Sequence, residues 1–262
     1  MIEIEKKDKI AFLWMARTDA LNALSIEFAA ELVKALQDLD AADDVRAVVL
    51  ASKARIFCAG LDLKALTSVP LGTAKGNLEF PSSLRSLFDC CDLLEKCRKP
   101  VIAAVHGGCI GGGLDIAAAC DIRLCTEDAF FSLREAAIGL VADMGVLQRL
   151  PAVIGQGFTR EMAFTAADYA AREAEKMGLV RAVYPDRDTL YAEAGKLAGR
   201  IAANAPLAVQ ATKEVLNASR GMSVEDGMSL AMHKNMVLFP SRDFKEAIRA
   251  FGEKRRPEFK GE

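Results

Sequence analysis

No stretch of this 262-residue chain approaches the roughly 18–20 consecutive apolar residues that cross a bilayer, which argues against a membrane-spanning helix. The opening MIEIEKKDKIAFLWMA lacks the long apolar core of a signal peptide and instead looks like a strand lead-in. The closing FKGE is neither a lipidation nor a peroxisomal signal. An excess of one charge is also missing. Thirty-four Lys+Arg against 36 Asp+Glu leave −2 at pH 7, so no global basic field favours nucleic acid. The seven cysteines include no C-x-x-C pair and, being odd in number, cannot all pair within one chain. They sit largely among apolar neighbours, as reduced core thiols do, and the expected location is cytoplasmic. Of the two histidines, His106 reads as a turn residue ending its strand and His233 carries no catalytic signal.

What is present is an ordinary globular composition, 52% apolar and 27% charged, in a length that suits one large domain or one domain with a terminal appendage. Short β-rich runs at Ile10–Met15 and Val45–Ser52 flank a helix over Ile26–Asp40 that Ser25 caps. The polar, Gly- and Pro-containing stretch Thr67–Pro81 reads as a mobile loop, and Ser83–Cys97 as a helix stopped at Lys99-Pro100. Further strands are expected at Val101–Val105, Ile122–Cys125, Ala129–Ser132 and Leu179–Val183. Further helices are expected at Leu114–Ala119, Met144–Leu150, Gly157–Thr165, Ala170–Met177, Asp188–Asn204 and Pro206–Ser219, and over all of 223–254. Strand–strand–helix units early and helices late imply a mixed α/β core, 1–200, followed by a helical C-terminal region, 201–262.

The richest segment is HGGCIGGGLDIAAACDI, 106–122: a strand exit, three successive glycines (Gly111, Gly112, Gly113) and a helix with Asp115 in its first turn. Glycines let a ligand approach backbone N–H groups closely, and a helix start adds unpaired donors and a positive dipole end. A second strand exit, Cys58-Ala59-Gly60-Leu61-Asp62, can offer another N–H to the same oxygen. Two donors converging on one point make an oxyanion hole, each donor typically worth roughly 2.7–4 kcal/mol in the transition state. Either loop alone is equally compatible with an ordinary strand-to-helix turn. Three acids follow as candidates: Asp115, Glu135 after FFSLR, and Asp143 within the apolar run AIGLVADMGVL. Burial and mutual repulsion would raise their pKa values towards neutrality, where a carboxyl is useful as an acid or base. Each also has a plain structural alternative. Asp115 can complement the helix dipole, Asp143 can cap a helix beginning near Met144, and Glu135 can pair with Arg134 or Arg123. Cys58 and Cys109 read as packing.

FCAGLDL, followed about fifty residues later by HGGCIGGGLDIAAACDIRLC, then AFFSLREAAIGLVADMGVLQRLPAVIG, AxEAxxxGLV at 171–180 and a FxEKRxPxFKG tail, resembles the crotonase (enoyl-CoA hydratase/isomerase) superfamily over nearly the whole chain. The resemblance implies a ClpP-like spiral of strand–strand–helix units with a helical C-terminal trimerisation region, a homotrimer or hexamer, and an acyl-CoA thioester substrate. It places the carbonyl-polarising N–H groups at Leu61 and Gly112. The rest of the two loops, Ala59, Gly60, Asp62, Leu63, Lys64, Gly111 and Gly113, are candidates for substrate contact, with Lys64 able to meet a CoA phosphate. Arg17–Leu24 (RTDALNAL) matches the family's nucleotide-side segment only loosely, since the usual proline is missing. The basic tail Lys254-Arg255-Arg256 is a second candidate for CoA phosphates.

Within the superfamily, Asp115, Glu135 and Asp143 together resemble the Δ3,5-Δ2,4-dienoyl-CoA isomerases. Hydratases carry glutamates at the first two positions and usually glycine at the third. Moving a 3,5-diene into conjugation removes a proton from C2 and places one on C6, and a single carboxylate does not easily reach both. The expected pair is Glu135 and Asp143, with Asp143 at C2 and Glu135 at C6, and with Asp115 tuning them or binding a polar group or water. No metal or redox cofactor is needed. The rivals are a 2-enoyl-CoA hydratase and a non-catalytic acyl-CoA- or RNA-binding relative. The helix Glu27–Asp40 carries one lysine against four acids and no basic stripe for RNA.

Overall fold

The first two strands are joined by Asp8 and Lys9, both at positive φ (50° and 66°), which matches the twist a two-residue hairpin needs. In this computed structural model, which describes residues 1–66 and 72–262, Ile2–Lys7 (β1) thereby pairs antiparallel with Ile10–Met15 (β2). The Ser25 side chain accepts the Phe28 N–H at 3.2 Å and starts Ile26–Ala41 (α1), whose Phe28, Leu32, Leu36 and Leu39 are buried. The chain continues through Ala47–Ser52 (β3), Leu63–Leu66 (α2), Ala74–Ser83 (α3), Arg85–Lys96 (α4), Val101–Val105 (β4), Gly108–Ile110 (β5) and Gly112–Ala119 (α5). Ile122–Thr126 (β6), Phe130–Ser132 (β7), Val146–Thr165 (α6), Asp168–Ala170 (β8), Ala171–Met177 (α7), Val183–Tyr184 (β9) and Arg187–Ala202 (α8) follow. The chain ends in Pro206–Ala218 (α9), Val224–Leu238 (α10) and Arg242–Gly252 (α11).

The larger sheet has the order β1-β2-β3-β4-β6-β9, parallel everywhere except β1–β2. Its inner strands β3 and β4 are buried on both faces, as the near-continuous apolar runs AVVLAS and VIAAV require. One face packs Val49, Ala51, Ile102, Ala104 and Leu124 against Leu190, Ala194 and Ala198 of α8. The opposite face joins α1, α4 and α5 in the main core. A smaller sheet, β5-β7-β8, pairs β5 with β7 in parallel and carries both loops of interest at its end.

Several elements differ from the sequence expectation. Of the stretch expected to be a loop, 67–71 lies outside the described residues, while Ala74 onward forms α3. The two helices expected over 144–165 join as α6, with a break where Gly155 takes φ 77°, ψ 166°. Leu179 and Val180 turn back to donate to the Ala174 carbonyl behind the left-handed Gly178, so the last strand shrinks to Val183–Tyr184. The C-terminal helix splits because Ser241 caps a new one, accepting the Phe244 N–H at 3.1 Å. Strands β5 and β8 were not expected, since glycine-rich and three-residue strands carry little β signal. Among the described residues, no helix is long and apolar enough to cross a membrane.

Candidate active site

Two loops from different parts of the sequence are stitched side by side. Cys58 donates its N–H to the Gly108 carbonyl and accepts the Ile110 N–H, both at 3.1 Å, laying the 58–62 loop along β5. Leu24 and Asp62 complete the loop's other edge, with Leu24 N–H to Gly60 carbonyl at 2.8 Å and Asp62 N–H to Leu24 carbonyl at 3.0 Å. Gly60, at φ 93°, runs so close to β5 that a Cβ there would meet the Ile110 carbonyl oxygen at 2.9 Å. The Leu61 nitrogen lies 3.7 Å from where a side chain on Gly112 would begin. Neither the Leu61 nor the Gly112 N–H has an acceptor among the described residues, and Gly112 opens α5, whose dipole adds positive potential there. Two free N–H groups from adjoining loops form a cradle for a developing oxyanion.

The carboxyls arrive from three directions. Parallel pairing of β5 with β7, extended by Gly111 N–H to the Ser132 carbonyl at 2.8 Å, sets the turn after β7 against the glycines. Glu135 opens that 3-10 turn, Glu135–Ile138, which Gly139 closes in the left-handed conformation. The point where a Gly111 side chain would begin is 2.8 Å from Glu135 Oε1, and its three nearest atoms all belong to that carboxyl. Glu135 is buried, and its Oε2 has no hydrogen-bond partner. Asp115, in the first turn of the fully buried α5, accepts the Val146 N–H on Oδ1 at 2.8 Å. Asp143 precedes α6 and remains exposed, whereas its apolar neighbours had suggested burial. Glu135, Asp115 and Asp143 line one cavity of about 220 Å³ with Leu61, Leu84, Leu87, Phe88, Leu140, Val141 and Met144. Burial pushes the Asp115 carboxyl up to about 7, helped by the charges of Glu135 and Asp143 and opposed by the Val146 N–H and Arg149. Desolvation raises Glu135, with Asp143's charge adding to it, and partial desolvation raises Asp143.

The plain alternatives for the acids fare differently. Arg134 pairs with Asp168 at 2.6 Å, and Arg123 is spent on backbone carbonyls, so neither neutralises Glu135. Asp115, not Asp143, supplies the acceptor at the start of α6. Of the loop candidates, only Leu61 lines the cavity. Asp62 pairs with Arg17 at 2.9 Å and accepts the Lys64 N–H at 3.2 Å, so it shapes the loop. Leu63 and Lys64 lie exposed on α2, Ala59 donates to the Leu21 carbonyl, and Gly113 packs against Cys58. RTDALNAL is scaffolding for the oxyanion loop: Asn22 Nδ2 donates to Ser52 Oγ (2.8 Å) and to the Phe57 carbonyl (3.0 Å). In the tail, Arg255 is held by Glu246 at 3.0 Å. His106 bonds the Ala54 carbonyl (3.0 Å) and Tyr191 (2.9 Å) in the interior, as a structural residue does. Burial pushes the Cys58 thiol up to about 12, far from a nucleophile's range. The cavity's apolar wall is Leu84, just before α4, with Leu87 and Phe88 on it; their helical i, i+3, i+4 spacing is the only sign of it in the sequence.

The raised Asp115 pKa has a consequence for stability. Its folded value, about 7, exceeds the ordinary 3.8, so the fold prefers the neutral acid. The stability that preference contributes is complete below pH 4 and is lost as pH rises to about 7, a change of roughly 4 kcal/mol. Asp115→Asn keeps a carbonyl to accept the Val146 N–H. It is expected to unfold at a higher temperature than wild type at pH 8, with the gap closing towards pH 4. A gap of constant size across that range in thermal unfolding would contradict this account.

The family described as "Enoyl-CoA hydratase/isomerase" matches residues 5–262. The peroxisomal Delta(3,5)-Delta(2,4)-dienoyl-CoA isomerase of Arabidopsis thaliana is 41% identical over 267 residues, covering 98% of this chain and 96% of that protein. The mitochondrial Delta(3,5)-Delta(2,4)-dienoyl-CoA isomerase of Rattus norvegicus is 40% identical, covering 91% of this chain and 75% of that one. Among solved structures, an enoyl-CoA hydratase from Bacillus anthracis superposes with a TM-score of 0.93 at 29% identity, covering 100% of this chain and 99% of that one. The α/β spiral and its helical C-terminal end are therefore the crotonase fold, and the chain belongs to the enoyl-CoA hydratase/isomerase family.

Proposed function

We propose that this protein converts 3,5-dienoyl-CoA thioesters into 2,4-dienoyl-CoA thioesters, in the breakdown of unsaturated fatty acids. The observation that carries the proposal is a third carboxyl, Asp143, sharing one apolar cavity with Glu135 beside two free N–H groups. The thioester oxygen sits between the N–H groups of Leu61 and Gly112, and the acyl chain runs along Leu84, Leu87 and Phe88. One carboxylate takes the C2 proton, and the electron pair spreads over a dienolate whose charge the N–H groups stabilise. The second carboxyl delivers a proton to C6, which leaves the first carboxyl protonated and the second ionised; proton exchange with solvent at the exposed Asp143 then restores the starting state. We assign C2 to Glu135, because its carboxyl adjoins Gly111 next to the Gly112 N–H, and C6 to Asp143, the opposite order from the one expected from sequence. Asp115 tunes the pair electrostatically, and no metal or redox cofactor takes part.

Hydration of a 2-enoyl-CoA is the second reading, favoured by the hydratase among the structural neighbours. Against it stands Asp143, a third carboxyl in the same cavity for which hydration has no use. Pure protein incubated with a 3,5-dienoyl-CoA is expected to build up the ultraviolet absorbance of the conjugated dienoyl thioester. Rapid loss of enoyl absorbance from a 2-enoyl-CoA, with no dienoyl activity, would overturn the isomerase proposal. The seven buried free cysteines favour a reducing compartment, the cytoplasm in our reading. We further propose a trimer or hexamer assembled through 201–262. Helix α10 has no buried residue and exposes Val224, Met228 and Met232 at four-residue spacing, and light scattering gives the copy number.

A further inference from the structure

Asp143 itself has few restraints, but the residues just after it have many. Arg149, in the first turns of α6, is almost wholly buried and turns back over its own N-terminus. Its Nη1 donates to the Met144 carbonyl at 3.0 Å. The guanidinium lies so flat on Gly145 (φ 104°) that a Cβ there would fall 2.1 Å from Nη1. Two carboxylates on α4 fix the other nitrogens, with Nε to Glu95 Oε2 at 2.8 Å and Nη2 to Asp92 Oδ1 at 3.0 Å. Glu95 is shared: its Oε1 is held by Arg220, beyond α9, and its backbone carbonyl accepts from Asn217 Nδ2 at 2.9 Å. Asp115 secures the next peptide through the Val146 N–H. The Met144 carbonyl is thus tied to Arg149 and the Val146 N–H to Asp115, and α4 links the arginine to the C-terminal helices.

We propose that Arg149 is a positioning residue that holds Asp143 in place through the Met144 carbonyl, and that Glu95 ties this clamp to the C-terminal region. The inference rests on Asp143 moving the C6 proton. A planar fork suits the task, because it binds a carbonyl and two carboxylates at fixed angles, which an ammonium does not. Misplacing a proton-transfer group by about 1 Å costs on the order of 10²-fold in rate.

The test measures 3,5-dienoyl-CoA turnover and C2 hydrogen exchange in deuterated buffer for wild type, Arg149→Gln, Arg149→Lys and Glu95→Gln, each also in the Asp143→Asn background. Arg149→Gln is expected to lower kcat by roughly 10- to 100-fold with KM within about twofold. C2 exchange, carried out by Glu135, should persist. Lysine should restore only part of kcat, and Glu95→Gln should lose less than Arg149→Gln. In the Asp143→Asn background, the Arg149 substitutions should change the residual rate by less than about twofold, as coupled groups do. Equal losses with and without Asp143, or unchanged kcat in a folded variant, would overturn the clamp. If Arg149→Gln does not fold, Arg149→Lys and Glu95→Gln carry the same comparison. An inactive wild type would instead overturn the isomerase proposal beneath it.

Discussion

Replacing Asp143 with asparagine is expected to lower 3,5-dienoyl-CoA isomerisation by about 10²–10⁴-fold, the usual contribution of a positioned general acid or base. Acyl-CoA binding should stay nearly intact. Asparagine keeps the shape of the carboxyl, and Asp143 is exposed at the cavity rather than part of the packed core, so the loss is chemical. The two acids should fail in different ways. With Glu135 intact, Asp143→Asn should still exchange the C2 hydrogens in deuterated buffer, because the first proton transfer survives while delivery to C6 does not. Glu135→Gln should lose exchange and turnover together. The opposite pattern would return Asp143 to C2, and undiminished turnover in Asp143→Asn would remove it from the mechanism. With both carboxyls raised above their ordinary range by desolvation, the acidic limb of kcat/KM should lie above the pH at which a solvated Asp or Glu titrates.

Gly111→Ala is expected to be nearly as damaging, at roughly 10²–10³-fold in kcat, the scale of losing one oxyanion donor. Two independent strains meet at this residue. Its φ of 49° lies in the left-handed region, and the added methyl would begin 2.8 Å from Glu135 Oε1. The alanine must either displace the Glu135 carboxyl or move the Gly112 N–H, and both are needed. Gly199→Ala, in α8 with open space around it, is the control. It should leave turnover unchanged and stabilise the helix by up to about 1 kcal/mol. Wild-type kcat in a folded Gly111→Ala would show that neither strain bears on the reaction.

Much of this was legible in the linear chain because the relevant signals are local. Glycines at a strand exit, a serine before an amphipathic run and apolar runs between them follow from backbone sterics, capping and periodicity over a few residues. The same locality explains the misses. Strand β5 is only three residues set between glycines, too short to signal a strand, and it forms because β7 lies beside it. The 67–81 stretch read as a loop, yet Ala74 onward is helical and leads through Leu84 into the cavity wall on α4. Arg149 stood in plain sight within LQRLP, but nothing nearby in sequence announces partners on α4.

Residue types and short spacings were enough to specify the fold class, the pair of glycine-bearing loops and three candidate acids. Which of these groups has a free oxygen depends on what the fold sets against it. Asp62 faces Arg17 and is spent on shaping a loop. Asp115 holds a peptide of α6 and is pushed to about 7 by burial, while Glu135 keeps an unpartnered oxygen beside Gly111. Those differences arise from long-range hydrogen bonding and desolvation, which depend on what the fold brings near each carboxyl and not on its neighbours along the chain.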